Sequence, residues 1–232
     1  MILRGLLLAL ALAAPGCATT GPDERDPLEG VNRGVLAFND QADEIVFKPA
    51  ARLYRNVAPQ GLRDMVRNFF NNIDDLFIGA NNLLQGKLED AVNDWLRFAF
   101  NTTFGLLGIH DWASDMGLEK HNEDFGQTLA RWGAGDGIYL VLPLFGPSTL
   151  RDAAALPLEW TVDPVTQHAP VDERNALTAT RLVGRRADLL AASRTLEEAA
   201  LDRYVFLRES FLQRRRSLIY DGRPPRERPP AD

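Results

Sequence analysis

The chain has a single cysteine, Cys17, which excludes an internal disulfide. Its three histidines, His110, His121 and His168, lie far apart and without a His-Glu-x-x-His spacing, so no metalloprotease signature is present. It has no Gly-x-Ser-x-Gly elbow, phosphate loop or dinucleotide fingerprint, which removes the motif-bearing hydrolases and nucleotide enzymes. His110-Asp111 with Ser114 nearby carries no argument, because a triad is defined by geometry rather than by local order. A formal net charge of −6 argues against nucleic acid as a partner. Alternating strand patterns are scarce and no repeat is visible, so the expected body is mainly α. Its 232 residues suffice for one domain with a sizeable core.

What is present begins with a processing signal. Arg4 forms a short positive region, and Leu6 to Ala14 is purely apolar, of signal-peptide length and too short to span a bilayer. Small residues follow in Ala14-Pro15-Gly16-Cys17, a lipobox in which the thiol takes a diacylglycerol and the signal is cut before it. Ala14 stands where leucine is usual, and Pro15 is unusual. On this reading residues 1–16 are a lipoprotein signal peptide, 17–26 a lipidated tether, 27–221 a helical domain and 222–232 an extended Pro/Arg tail. The residue after the cysteine is Ala18, not the aspartate that retains lipoproteins at the inner membrane, which favours the outer membrane.

The period is helical from Leu28 to about Gly108. After Pro59, Leu62, Met65, Val66, Phe69, Ile73, Leu76, Phe77 and Ala80 recur at three- and four-residue steps. From Leu88 the stripe Leu88, Val92, Trp95, Leu96 and Ala99 is widened by Phe98, Phe100 and Phe104 until it is apolar nearly all round. Such a helix is either deeply buried or in contact with lipid, and burial is the commoner case. A short helix is expected from Asn122 to Trp132.

Between Asp136 and Arg151 lie fourteen uncharged residues, Gly137 to Leu150. Pro143 and Pro147 preclude one regular helix, and the run is too short to span a membrane that way. It suits a buried hairpin, a re-entrant segment or an interfacial one. A helical pattern resumes after Asp172, and charge divides there. Arg174 to Arg216 holds ten arginines and five acids, net +5, against net −12 from Cys17 to Glu173. This is either a solvated helix face or a contact for an acidic partner or lipid headgroups.

Many short motifs occur together and in order. Asp26-Pro27-Leu28-Glu29-Gly30-Val31-Asn32-Arg33 is followed by Phe38-Asn39, Lys48-Pro49, Tyr54 and Val57-Ala58-Pro59. Asn68-Phe69-Phe70-Asn71-Asn72, Asn82-Leu83-Leu84-Gln85-Gly86, Arg97-Phe98 and Asn101-Thr102-Thr103 come next. Asp124-Phe125-Gly126-Gln127-Thr128-Leu129, Tyr139-Leu140-Val141-Leu142-Pro143 and Gly146-Pro147-Ser148-Thr149-Leu150-Arg151-Asp152 complete the set. In this ordered set the chain resembles the MlaA family, also called VacJ, of outer-membrane lipoproteins. Ala153-Ala154-Ala155 stands where a more Gly-rich sequence is common.

The resemblance implies a mainly α, single-domain helical ring lying in one membrane leaflet, with a proline-broken hairpin and a long C-terminal helix. It implies an amphipathic channel that removes misplaced phospholipids from the outer leaflet and passes them to a periplasmic lipid-carrier protein. It also implies association with a trimeric outer-membrane porin, no cofactor and no catalysis. Candidate channel and hairpin residues are then Phe38, Asn39, Tyr139, Leu142, Pro143, Phe145, Gly146 and Pro147, with Cys17 as the lipidation site. Two alternatives stay open: a structural or assembly lipoprotein that docks on a porin without moving lipid, and a lipid or cell-wall hydrolase.

Overall fold

The computed structural model describes residues 23–193 and 202–226. Cys17, the signal segment, most of the tether and the end of the tail lie outside the described residues. The protein is mainly α, as the pattern requires. Helix α1 (Glu29–Ala42) runs through a π-helical turn (Asp43–Phe47) into α2 (Lys48–Val57). Pro49 sits in the first turn of α2, where its missing N–H and its ring would disturb a regular ladder. The widened turn just before it keeps one continuous rod.

Ala58 turns extended and Pro59 starts α3 (Gln60–Leu84), which forms a hairpin with α4 (Leu88–Thr103). The two helices pack closely at Gly79, where an added Cβ would come within 2.6 Å of the Trp95 indole nitrogen. A short helix α5 (Trp112–Asp115) follows. Helix α6 (Phe125–Arg131) lies inside the predicted span and starts at Asp124, whose carboxylate accepts the Gln127 N–H at 2.8 Å.

The uncharged segment is a hairpin. Strand β1 (Tyr139–Leu142) pairs antiparallel with β2 (Gly146–Thr149), with Tyr139 opposite Thr149 and Leu142 opposite Gly146. Pro143, Leu144 and Phe145 form the tip. The turn needs the left-handed region at both Leu144 (φ 66°) and Gly146 (φ 82°), a conformation glycine tolerates and leucine resists. The two charges that bracket the segment meet at its base: Arg151 and Asp136 form an ion pair, and the Arg151 N–H donates to the Asp136 carbonyl at 3.2 Å.

Beyond the hairpin lie α7 (Leu150–Val162), α8 (Pro164–Gln167), α9 (Val171–Asp188) and α10 (Arg203–Ile219). The neighbours close a circuit: α2 packs on α9, α9 on α3, α3 on α6, α6 on α7 and α10, α10 on β2, and β1 on α1. Among the described residues no helix is long and apolar enough to cross a membrane.

The interior corrects the expectation that the apolar stripes form the core. On α3 the buried residues include Asn72, Asp75 and Asn82, while Leu62, Met65, Leu76, Leu83 and Leu84 are exposed. On α4 Ala91, Asp94, Arg97 and Asn101 are buried, and Leu88, Val92 and Leu96 face outward. Of the thirteen buried apolar residues among those described, six are alanine, so little apolar bulk is interior. A buried hydrophobic cluster is formed by Tyr139, Val141 and Tyr204, flanked by Val35, Leu36, Phe211 and Leu212.

Candidate functional site

The hairpin is held by two asparagines on one face of α1, seven residues apart. The Asn32 amide donates to Asp26 at 2.8 Å and to the Tyr139 carbonyl at 3.1 Å, while its oxygen accepts the Val141 N–H at 2.9 Å. Asn39 repeats the pattern at the tip, donating to the Leu142 carbonyl at 2.9 Å and accepting from the Leu144 N–H at 2.7 Å. The pair thus substitutes for a neighbouring strand along the free edge of β1. Buried or half-buried backbone groups must be paired, and here side chains do it.

Behind Asn32 a charged knot fixes the start of α1 to α10. Asp26 accepts from the Tyr204 hydroxyl and from Arg208 at 3.0 Å. The Arg33 guanidinium lies 4.4 Å from the centre of the Tyr204 ring. Burial pushes the Tyr204 hydroxyl well above its ordinary value, and its bond to Asp26 adds to this, so it stays a donor.

The candidate residues therefore fall into two groups. Asn39, Leu142, Pro143, Phe145 and Gly146 converge at the hairpin tip, with Pro147 opposite Val141 on the second strand. Pro143 is exposed, and Phe145 is 61% exposed and packs on Trp160 with ring centres 5.3 Å apart. Phe38, beside Asn39, is 54% exposed. Tyr139 stands apart: its ring is buried against Tyr204 and Phe211, where it anchors the base of the hairpin.

A second polar centre, missed by reading apolar stripes, lies between α3, α4 and the loop after α4. Arg97 is 1% exposed and reaches Asp75 at 3.3 Å, both Asp111 oxygens at 3.0 and 3.1 Å, and the Leu118 carbonyl at 2.6 Å. Lys120 pairs with Asp75 from the other side. Asn101 donates to Asp111 at 2.8 Å and accepts the Ala113 N–H at 2.9 Å. Asp94 accepts from Asn82 at 2.8 Å and lies 2.9 Å from His121 Nδ1. Burial raises the Asp75 carboxyl above its usual range, against the pull of Lys120 and Arg97. Burial also raises Asp111, but hydrogen bonds from Ser114 and Asn101 and the Arg97 charge outweigh it and hold that carboxyl at about 2. The signal was in the sequence: Asn72, Asp75 and Asn82, and Ala91, Asp94, Arg97 and Asn101, repeat at three, four or seven residues.

The exterior has the opposite character. Val57, Leu88, Phe104, Leu106 and Leu107 are between 63% and 74% exposed, alongside Ile45, Leu53 and Trp132. Leu106 and Leu107 sit in consecutive left-handed conformations at the turn after α4. That turn still pairs its backbone, with Leu107 donating to Thr102 at 3.0 Å and Gly108 to Asn101 at 2.8 Å.

The C-terminal arginines resolve the charge asymmetry in a way neither sequence reading anticipated. Their acidic partner is the chain itself. Arg181 pairs with Asp74 and with Asp163 at 2.8 Å, Arg185 with Asp74 at 2.8 Å, and Arg186 with Asp43 at 2.6 Å. Arg203 pairs with Asp40, and Arg215 with Asp124 and with Asp152 at 2.8 Å. The basic stretch after Glu173 fastens the circuit of helices along the acidic stretch that precedes it.

These features define a class: a mainly helical domain with a charged and amide-rich interior, an apolar exterior and a clamped apolar hairpin. Residues 24–218 match the family described as MlaA lipoprotein, and the chain belongs to that family. It is 32% identical to the intermembrane phospholipid transport system lipoprotein MlaA of Escherichia coli K12, over 97% of this chain and 93% of that protein. The protein of the same name from Haemophilus influenzae is 31% identical over 96% of this chain and 91% of its own length. A solved chain from work on the structural basis for maintenance of bacterial outer membrane lipid asymmetry superposes with a TM-score of 0.73 at 29% identity. It covers 84% of this chain and 98% of that one.

Proposed function

We propose that this protein is an outer-membrane lipoprotein, anchored through Cys17 on the periplasmic side, whose ring of helices lies among acyl chains and conducts phospholipid. It takes misplaced phospholipids from the outer leaflet and hands them to a periplasmic carrier, so preserving lipid asymmetry, beside a trimeric porin. The observation that carries the reading is the inversion of polarity: Arg97, Asp75, Asp94 and Asn82 are at most 1% exposed, while the leucines of the same helices face out. Exposing a large aliphatic side chain to water forgoes about 1.5–3 kcal/mol each, and hydrocarbon removes that penalty. Hydrocarbon also demands internal partners for polar groups, and the asparagine clamps and salt bridges supply them. The names of the E. coli and Haemophilus relatives agree with phospholipid as cargo. On this reading the clamped tip gates the path, which its exposed Leu144 and Phe145 support. The test is amine labelling of phosphatidylethanolamine on intact cells with and without the gene. Deletion should raise surface-labelled lipid and the wild-type chain should restore the low level; unchanged labelling would leave the porin-docking alternative in its place.

A further inference from the structure

Helix α2 carries two unlike exposed faces. Lys48, Arg52 and Arg55 are spaced four and three residues apart and share one face. Leu53 and Val57, 63% and 73% exposed, lie on the opposite side. Ala51, fully buried, lies between the two faces of the helix, which packs against α9. The basic face opens into a cleft of about 500 Å³, walled across from it by Leu190, Ala191 and Ser193. Lys48 pairs with Glu44 at 2.7 Å. Among the described residues no carboxylate pairs with Arg52 or Arg55, in a protein whose other helix-borne arginines are mostly engaged by acids.

We propose that this cleft is a subsite for the phosphodiester of a glycerophospholipid headgroup, with Arg52 and Arg55 as its ligands. Two guanidiniums one turn apart match the oxygens of a phosphodiester, and among the described residues no carboxylate takes up their charge. The volume admits a glycerophosphate head but is far too small for the acyl chains. The apolar face on the opposite side of the same helix favours a lipid over a free phosphate, because it sets the arginines at a boundary between tails and water. The proposal rests on the reading of the chain as a phospholipid conduit and names where that conduit holds the head.

The test uses the full lipidated chain in detergent micelles doped with phosphatidylglycerol or with diacylglycerol of the same acyl chains, retained lipid being counted by mass spectrometry. Arg52→Gln with Arg55→Gln should retain roughly tenfold less phosphatidylglycerol and equal diacylglycerol, while the double Lys variant keeps part of the difference. Both positions are exposed, and circular dichroism checks that the variants keep the wild-type helicity. Equal phosphatidylglycerol on wild type and a folded double Gln variant overturns the subsite and leaves the conduit standing. No phospholipid on the wild type overturns both. Displacement of phosphatidylglycerol by an equal amount of inorganic phosphate overturns the lipid as ligand.

Discussion

The Asn32 side chain accepts the Val141 N–H at 2.9 Å, which ties the first helix to the edge of the hairpin across 109 residues of sequence. Asn39 does the same for Leu144 at the tip. Asn32→Ala removes three bonds and leaves buried groups unpaired, at about 1–3 kcal/mol for each unsatisfied group. It should lower the unfolding midpoint in detergent and strip hydrogen-exchange protection from the Val141 amide. Asn39→Ala should leave the midpoint nearly unchanged and speed exchange at Leu144. Equal protection at Leu144 in the variant and the wild type would refute the clamp.

Arg97 holds Asp75 and Asp111 together from inside α4. Removing one partner of a buried ion network costs about 3–5 kcal/mol, because the remaining charges stay buried without compensation. Arg97→Met should therefore abolish accumulation of the folded protein, whereas Leu96→Met on the outward face should be silent. Immunoblots of membrane fractions distinguish the two, and normal levels of the Arg97 variant would contradict the assigned interior.

The register of α9 against the π turn rests on Arg186 and Asp43. Arg186→Glu should destabilise the protein by placing like charges together, and Asp43→Arg in the same chain should recover part of the loss. Thermal unfolding in detergent for the two single variants and the double variant gives the coupling. Additive losses would mean that the pair contributes nothing.

Asp111 provides a pH signature. Its folded pKa of about 2 lies below the ordinary carboxylate value, so its stabilisation is present above about pH 4 and is lost as pH falls toward 2. Asp75 is shifted the other way and opposes it. The slope of stability between pH 4 and 2 should therefore become shallower in Asp111→Asn. An identical slope would remove Asp111 from the acid response.

The helices and the hairpin were legible because spacing and proline act locally; α6, expected from Asn122, begins only at Phe125, where the Asp124 carboxylate caps it. Leu62 to Ala80 forms the helix its three- and four-residue steps require, and Gly137 to Leu150 the hairpin that Pro143 and Pro147 permit. The direction of the stripes was not legible. Periodicity reveals that one face differs from the other, and which face is inside depends on the medium. In α4 the residues Asp94, Arg97 and Asn101 look like a solvated face until Asp75 and Asp111 are seen to close on them from distant segments. The clamp was half legible: Asn32 and Asn39 fell within motifs shared with a known family, but their target is a strand edge about a hundred residues on. The arginines of α9 and α10 showed only their net sign, because their partners at Asp43, Asp74 and Asp124 are brought near by the circuit itself.

Whether the apolar exterior lies in hydrocarbon is decided by nitroxide accessibility. The native thiol is consumed if Cys17 is lipidated, so a single new cysteine at Leu96, Leu106 or Arg52 can carry the label in outer-membrane vesicles. Labels at Leu96 and Leu106 should collide with dissolved oxygen and be shielded from a water-soluble nickel chelate, while the label at Arg52 should meet the chelate. Free access of the chelate to Leu96 and Leu106 would contradict a ring embedded among acyl chains.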